Sequence, residues 1–356
     1  MNGQPKIPKT LTIRTPDDAH LHLRDGAFLA SVLHHTLERF GRAVIMPNLD
    51  PPLTTVEQVL DYRKRILGHC PAHSTFVPWM TLYLHAGTRS EDILQAAKEP
   101  SIIGAKLYPQ GVTTNAVSNV TDPLRLLPVF EVMAQSGMPL LVHAEDPDPA
   151  TDPFEREARF IEKALIPLCR RLPDLRIVFE HVTTRVGVEL VRSEARRMAA
   201  TITVHHLLFD RRALFAGGFH PHLYCLPLLT SESDRQSLIE AATSGEPCFF
   251  LGTDSAPHPR SQKECACSSA GVYSAHAAIE FYAEVFEAAG QLGRLEAFAS
   301  RFAAEFYGQP LNSGRITLER DPWQVPDYFA WDGQELVPLC AGGQVGWRLI
   351  RRASEV

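Results

Sequence analysis

Two histidines one residue apart, in Asp18-Ala19-His20-Leu21-His22-Leu23-Arg24-Asp25, are the first residues of this chain equipped for chemistry. On a β-strand successive side chains alternate, so His20 and His22 project to the same side. Two imidazoles converging on one point suit a divalent metal better than they suit packing. Alone the pair says little, but similar groups recur at the ends of later apolar runs. Lys106 closes Ile102-Ile103-Gly104-Ala105-Lys106, and His143 closes Pro139-Leu140-Leu141-Val142-His143. His181 ends Ile177-Val178-Phe179-Glu180-His181, and Asp254 ends Phe249-Phe250-Leu251-Gly252-Thr253-Asp254. Four positions beyond Asp254, in a turn set by Pro257, stands His258. A carboxylate facing a metal and a histidine facing a substrate would divide the work between them.

The elements that must position these groups alternate. Candidate strands are Leu11–His22, Ala43–Pro47, Thr75–Leu84, Ile102–Tyr108, Pro139–His143, Arg176–His181, Ala200–Leu207 and Cys248–Asp254. Helical patterns lie between them, among them Thr55–Leu67, Leu124–Gln135, Pro153–Arg171, Val186–Met198 and Ser231–Ala242. Strands alternating with helices, and no glycine-rich phosphate loop after the first strand, predict an α/β fold of the TIM-like (β/α)8 barrel type. In such a barrel the strand C-termini share one face, which is where all six groups would gather. The expected division is a barrel over residues 1–316 and a small β-rich extension over 317–356, packed on the barrel.

Composition narrows the setting. A formal charge of −6 with no basic run argues against nucleic acid as a partner. No segment approaches the roughly 20 apolar residues that span a bilayer, and Met1–Thr10 lacks the apolar core of a signal peptide. Seven scattered cysteines, an odd number, fit a reducing cytoplasm better than a disulfide framework. Cys265-Ala266-Cys267 has no second thiol pair nearby and reads as a loop with two thiols.

Together these motifs resemble the amidohydrolase superfamily and, within it, the short-chain dihydroorotases of bacterial pyrimidine biosynthesis. The resemblance covers nearly the whole chain. It is carried by Asp17–Gly26, Met46-Pro47-Asn48, Gly104–Pro109, Val142–Glu145, Phe179-Glu180-His181, Pro221–Pro227 and Gly252–His258. It implies reversible cyclisation of N-carbamoyl-L-aspartate to dihydroorotate plus water. Two zinc ions per subunit would serve it, one on His20, His22 and Asp254, the other on His143 and His181. Lys106 would bridge them as N6-carboxylysine, the carbamate formed with carbon dioxide. A free lysine is a cation and would repel a metal pair; carboxylation makes it a bidentate anion. A hydroxide between the metals would attack the ring carbonyl, with Asp254 as general base and then general acid.

Arg24 would hold the substrate carboxylate with the fork geometry that suits it. Asn48, His143 and His258 would assist, and backbone groups of Leu226 and Ala270 would touch the ring. Thr113 and Thr114, in the loop after Lys106, would belong to a mobile lid. The resemblance also implies a homodimer acting on a small molecule.

Some residues stand apart. Ala19 is smaller than the aromatic residue common there in relatives, and Asp50 puts a negative charge near an anion site. His205 and His206, expected at the end of the seventh strand, are assigned to packing around a metal pair already supplied. His34, His35, His69, His73 and His85 are expected in solvent. Rival readings are a hydantoinase or dihydropyrimidinase, which would need no arginine for a carboxylate, and a Schiff-base aldolase built on Lys106. A silent scaffold is a third, but no ligand is missing.

Overall fold

The computed structural model describes residues 8–112 and 120–350. Eight parallel strands form one sheet in sequential order. With the N-terminal strand β1 (Thr10–Arg14) counted first, they are β2 (Asp17–Leu21), β3 (Arg42–Ile45), β4 (Val77–Leu84), β5 (Ile102–Leu107), β6 (Leu140–His143), β7 (Ile177–Glu180), β8 (Met198–Ile202) and β9 (Phe249–Leu251). Each is buried nearly throughout, as parallel strands covered by helices must be. The seam between first and last strands closes just beyond β9. Asp254 N–H donates to His20 O at 2.8 Å, and His22 N–H donates to Ser255 O at 3.2 Å. Asp18 adds to it, its carboxylate accepting from both the backbone N–H and the hydroxyl of Thr253.

Helices start where the local sequence supplies a cap. Thr55 opens Val56–Gly68 with a capping box to Gln58, and Asp25, Thr184 and Ser231 cap Gly26–Arg39, Arg185–Ser193 and Glu232–Thr243. Each satisfies backbone N–H groups that the first turn leaves free.

Strand alternation decides what faces the barrel axis. Val44, Leu141, Val178, Ala199 and Phe250 point inward and pack with Trp79, Ala19 and Met46. Their neighbours Ala43, Ile45, Leu140, Val142, Ile177, Phe179, Ala200, Phe249 and Leu251 belong to the outer core under the helices. Phe302, Ala303 and Tyr307 close the inner cluster. Two residues further along four of these strands, on the same inward face, come His143, Glu180, Thr201 and Gly252. The polar rim is therefore one layer above the apolar plug.

Two expected strands are corrected. Leu11–His22 is not one strand, because β1 leaves the barrel and pairs antiparallel with β10 (Arg315–Glu319), which pairs in turn with Arg348–Ile350. Pro16 separates β1 from β2 and cannot donate to a ladder. Ala200–Leu207 also divides: β8 ends at Ile202, and Thr203 caps a short helix, Val204–Leu208, that carries His205 and His206. Their places are thus on a helix, not at a strand end. Ala19 sits in the inner cluster with Trp79, Phe250 and Tyr307. Asp50 is exposed.

His35 is also corrected. It is buried on Gly26–Arg39 and bonded to the Tyr273 hydroxyl at 2.5 Å, and burial pushes its pKa down to about 2. A helix face turned inward explains it, since His35 follows Val32 by one i+3 step.

Candidate metal and substrate site

The bulge in β2 between Asp18 and Leu21 brings His20 and His22 to the barrel mouth above Ala19. His20 Nε2 stands 3.3 Å from His22 Nε2 and 3.3 Å from Asp254 Oδ1, and His22 Nε2 is 3.0 Å from the same oxygen. Space for this is made by Gly252, where a Cβ would lie 2.7 Å from Thr201 Cβ and 3.0 Å from His20 Cβ. Glu180 accepts from His20 Nδ1 at 2.7 Å, which leaves Nε2 as the free donor atom of that ring. Thr201 Oγ1 donates to the same carboxylate oxygen at 2.7 Å.

On the other side, the rings of His143 and His181 meet edge to face, centroids 4.6 Å apart, and His181 is 5.0 Å from His20. His143 Nε2 is 2.6 Å from Glu145 Oε2, so Nδ1 remains. His181 Nδ1 is buried without a hydrogen-bond partner, and so is Lys106 Nζ. A buried polar atom left unpaired is costly, on the order of 1–3 kcal/mol. Two such atoms beside a cluster of imidazoles and a carboxylate are what a site built around cations looks like when only protein is considered.

Electrostatics support that reading. Burial, reinforced by Lys106 and neighbouring histidines, holds His143 and His181 well below the ordinary imidazole pKa, so both keep lone pairs. Burial pushes His22 down to about 4 and Lys106 down to about 8. Burial opposes charge on Asp254, but His20 and His22 overcome it and hold the carboxyl well below the usual range. His20 is raised: burial works against its charge, and Glu180 and Asp254 outweigh that. Arg24, His181 and Asp254 all adopt positive φ (58°, 42° and 45°). Such conformations cost about 1–3 kcal/mol each and persist where surrounding structure imposes them.

A narrow cavity takes in His20, His22, His143, His181 and Asp254. Arg24, Asn48, Leu226 and Ala270 line it too, together with Tyr108, Ala256 and Gly271. Arg24 donates through Nε to Pro257 O at 3.1 Å and through Nη2 to His258 Nε2 at 2.8 Å. His258 can accept there because burial, then Arg24, push its pKa to about 2, and its Nδ1 is turned to Gln262 Oε1 at 3.3 Å. The Tyr62 hydroxyl holds the Arg24 carbonyl. Every expected site residue among those described is therefore at or beside this cavity; Thr113 and Thr114 lie outside the described residues.

Several neighbours had no role assigned from sequence. Glu180 and Glu145 orient His20 and His143; Glu145, two positions after its histidine, left a local signal, whereas Glu180 meets His20 only through the fold. Tyr108, with Lys106 Nζ 5.0 Å from its ring centre, could have been read only from the fold. His205, His206 and Cys225 form a second tight group nearby, donor atoms within 4.8 Å of one another. His206 Nε2 is 3.1 Å from Pro227 O, and the Cys225 thiol donates to that carbonyl at 3.2 Å. Cys265 and Cys267 are exposed thiols.

The amidohydrolase family model matches residues 15–341. A dihydroorotase of Nitrosomonas europaea is 55% identical over 341 residues, covering 95% of this chain and 98% of that protein. Among solved structures, Saccharomyces cerevisiae dihydroorotase in complex with 5-fluoroorotic acid is similar at a TM-score of 0.89 and 30% identity, over 96% of this chain and 99% of that one. Dihydroorotase from Campylobacter jejuni gives 0.85 and 35%, over 96% and 97%. The chain belongs to the amidohydrolase family, in its dihydroorotase branch.

Proposed function

We propose that this protein interconverts N-carbamoyl-L-aspartate and dihydroorotate in pyrimidine biosynthesis. One observation carries the reading beyond family membership. Four imidazoles and a carboxylate line one cavity together with an arginine, and beside it is a buried lysine amine with no hydrogen-bond partner.

These residues fit a divalent metal pair. His20, His22 and Asp254 would hold one zinc, and His143 with His181 the other, with Lys106 joining the two as its carbamate. When bound, the pair supplies Lewis acidity and a water that ionises near neutral pH. Asp254, already held as a carboxylate, takes the proton of the attacking water and passes it to the ring nitrogen as the C–N bond breaks. Ring closure runs the same transfers backwards. Arg24 holds the substrate carboxylate, with Asn48 and His258 beside it. Leu226 and Ala270 offer backbone groups to the ring, and Thr113 and Thr114 would close over it.

A metal-dependent hydrolase of neutral cyclic amides would have no use for Arg24 braced by His258 and Pro257. That favours dihydroorotate over hydantoins. Sequence patterning supports a barrel unit over 1–316 with an extension over 317–356, with β10 running across that boundary to join β1 to the small sheet; the cysteine usage supports the cytoplasm, and the resemblance a homodimer. No described helix is long and apolar enough to cross a membrane. The deciding experiment is an ultraviolet assay of ring opening on dihydroorotate beside dihydrouracil, with zinc counted per chain. Preference for dihydrouracil would overturn the assignment.

A further inference from the structure

Lys263 is buried, 2% exposed, at the end of a short helix, Arg260–Lys263, and burial pushes its pKa down to about 7. Its ammonium donates to three main-chain carbonyls: Tyr224 O at 2.8 Å, Ser269 O at 2.8 Å and Gly271 O at 2.7 Å. An ammonium has three N–H bonds and no acceptor, so all its capacity is used on these carbonyls. Among the described residues no ion pair joins it to a carboxylate. A buried charge is retained only where such bonds replace water.

The three carbonyls come from two separate loops. Tyr224 lies two residues before Leu226, and Ser269 and Gly271 flank Ala270. Leu226 lines the cavity from the first loop, and Ala270 and Gly271 line it from the second. The loops are also stitched by Gly271 N–H donating to Tyr224 O at 3.0 Å. Gly271 itself is at φ 149°, where a Cβ would approach Ala256 O to 2.6 Å, so the second loop packs directly against the segment after Asp254. Few covalent constraints fix the spacing of such loops, and a charged three-way tether fixes it well.

We propose that Lys263 is a positioning residue that sets the separation of these two cavity walls, and so the fit of the substrate ring. The proposal rests on the reading of Leu226 and Ala270 as groups that meet that ring. Lys263 lines no part of the cavity and acts only through the backbone it holds. Removing the ammonium would leave three carbonyls without their shared donor and let the walls part.

Lys263→Met keeps the length and volume of the stem but removes every N–H; Lys263→Gln keeps two. Each full-length variant is purified and assayed with dihydroorotate, with zinc per chain and melting temperature measured alongside. Lys263→Met should raise KM by about tenfold or more, a loss comparable to that of one or two hydrogen bonds. Zinc content should hold and kcat should change by less than about threefold, because the ligands and Asp254 are untouched. Lys263→Gln should fall between. A folded Lys263→Met with KM within twofold of the parent overturns the proposal, as does lost zinc or kcat at unchanged KM. Failure of both variants to fold would make Lys263 a stability residue, which also overturns it. If the parent protein itself leaves dihydroorotate unchanged, the functional reading has failed first, and that outcome is distinct.

Discussion

Replacing Arg24 with lysine separates substrate recognition from metal binding at a single position. Arginine at 24 has φ 58°, and lysine, like arginine, carries a Cβ, so the substitution leaves the backbone strain as it was. The Arg24 carbonyl stays bonded to Tyr62. What changes is the fork. Nε is spent on Pro257 O and one N–H of Nη2 on His258, which leaves the other Nη2 hydrogen and the Nη1 group to meet a carboxylate in two places. A lysine ammonium keeps the charge but meets it at one point. Losing one charged hydrogen bond costs about 1.5–3 kcal/mol, or roughly a 10- to 100-fold rise in KM for dihydroorotate at 1.4 kcal/mol per decade. The assay is steady-state ring opening, run with dihydrouracil as the substrate that lacks the carboxylate and with zinc counted per chain. Dihydrouracil turnover and zinc should be nearly unchanged. Equal losses on both substrates, or zinc lost in step with activity, would show that Arg24 holds structure rather than substrate.

Three further outcomes follow from the same geometry. Lys106→Ala should abolish ring opening and lower zinc content, and added short carboxylic acids should restore part of both; full activity in the variant would refute the bridging role. Glu180→Gln replaces the charged acceptor that points His20 Nε2 at Asp254 with a neutral amide, so zinc affinity should fall about 10- to 100-fold, measured by competition with a chelator. Unchanged affinity would mean that packing alone orients His20. Gly252→Ala places a methyl 2.7 Å from Thr201 Cβ and 3.0 Å from His20 Cβ. Overpacking of this kind costs on the order of 1–3 kcal/mol, so thermal melting should occur at lower temperature and zinc affinity should drop with it; a variant matching the parent in both would show that β2 can give way.

Much of the site was legible in sequence because its signal is local. A strand buried on both faces is a short apolar run, and the side chains that could hold a metal fall at or near its end. His20, His22, Lys106, His143, His181 and Asp254 could all be placed by that rule, and the resemblance supplied Arg24, Asn48, Leu226, His258 and Ala270. Local signals misled where two elements abut. The run Leu11–His22 alternates apolar with polar residues on both sides of Pro16, with Leu11 and Ile13 before it and Ala19 and Leu21 after it, and only pairing partners some 300 residues away show that β1 belongs to another sheet. His205 and His206 follow a strand without a break in hydrophobicity, and the Thr203 cap that turns the chain into a helix is a one-residue cue.

From its own order of residues, this chain determined which groups stand at the barrel rim and which chemistry they could share. Tertiary structure alone decided how they are aimed. Glu180 reaches His20 across 160 residues, and Asp18 closes the seam to Thr253 across 235. Lys263 gathers carbonyls from two loops that no periodicity connects. Apolar patterning is written along the chain because water reads each strand face separately, whereas a hydrogen bond between distant residues exists only once the barrel has brought donor and acceptor within 3 Å.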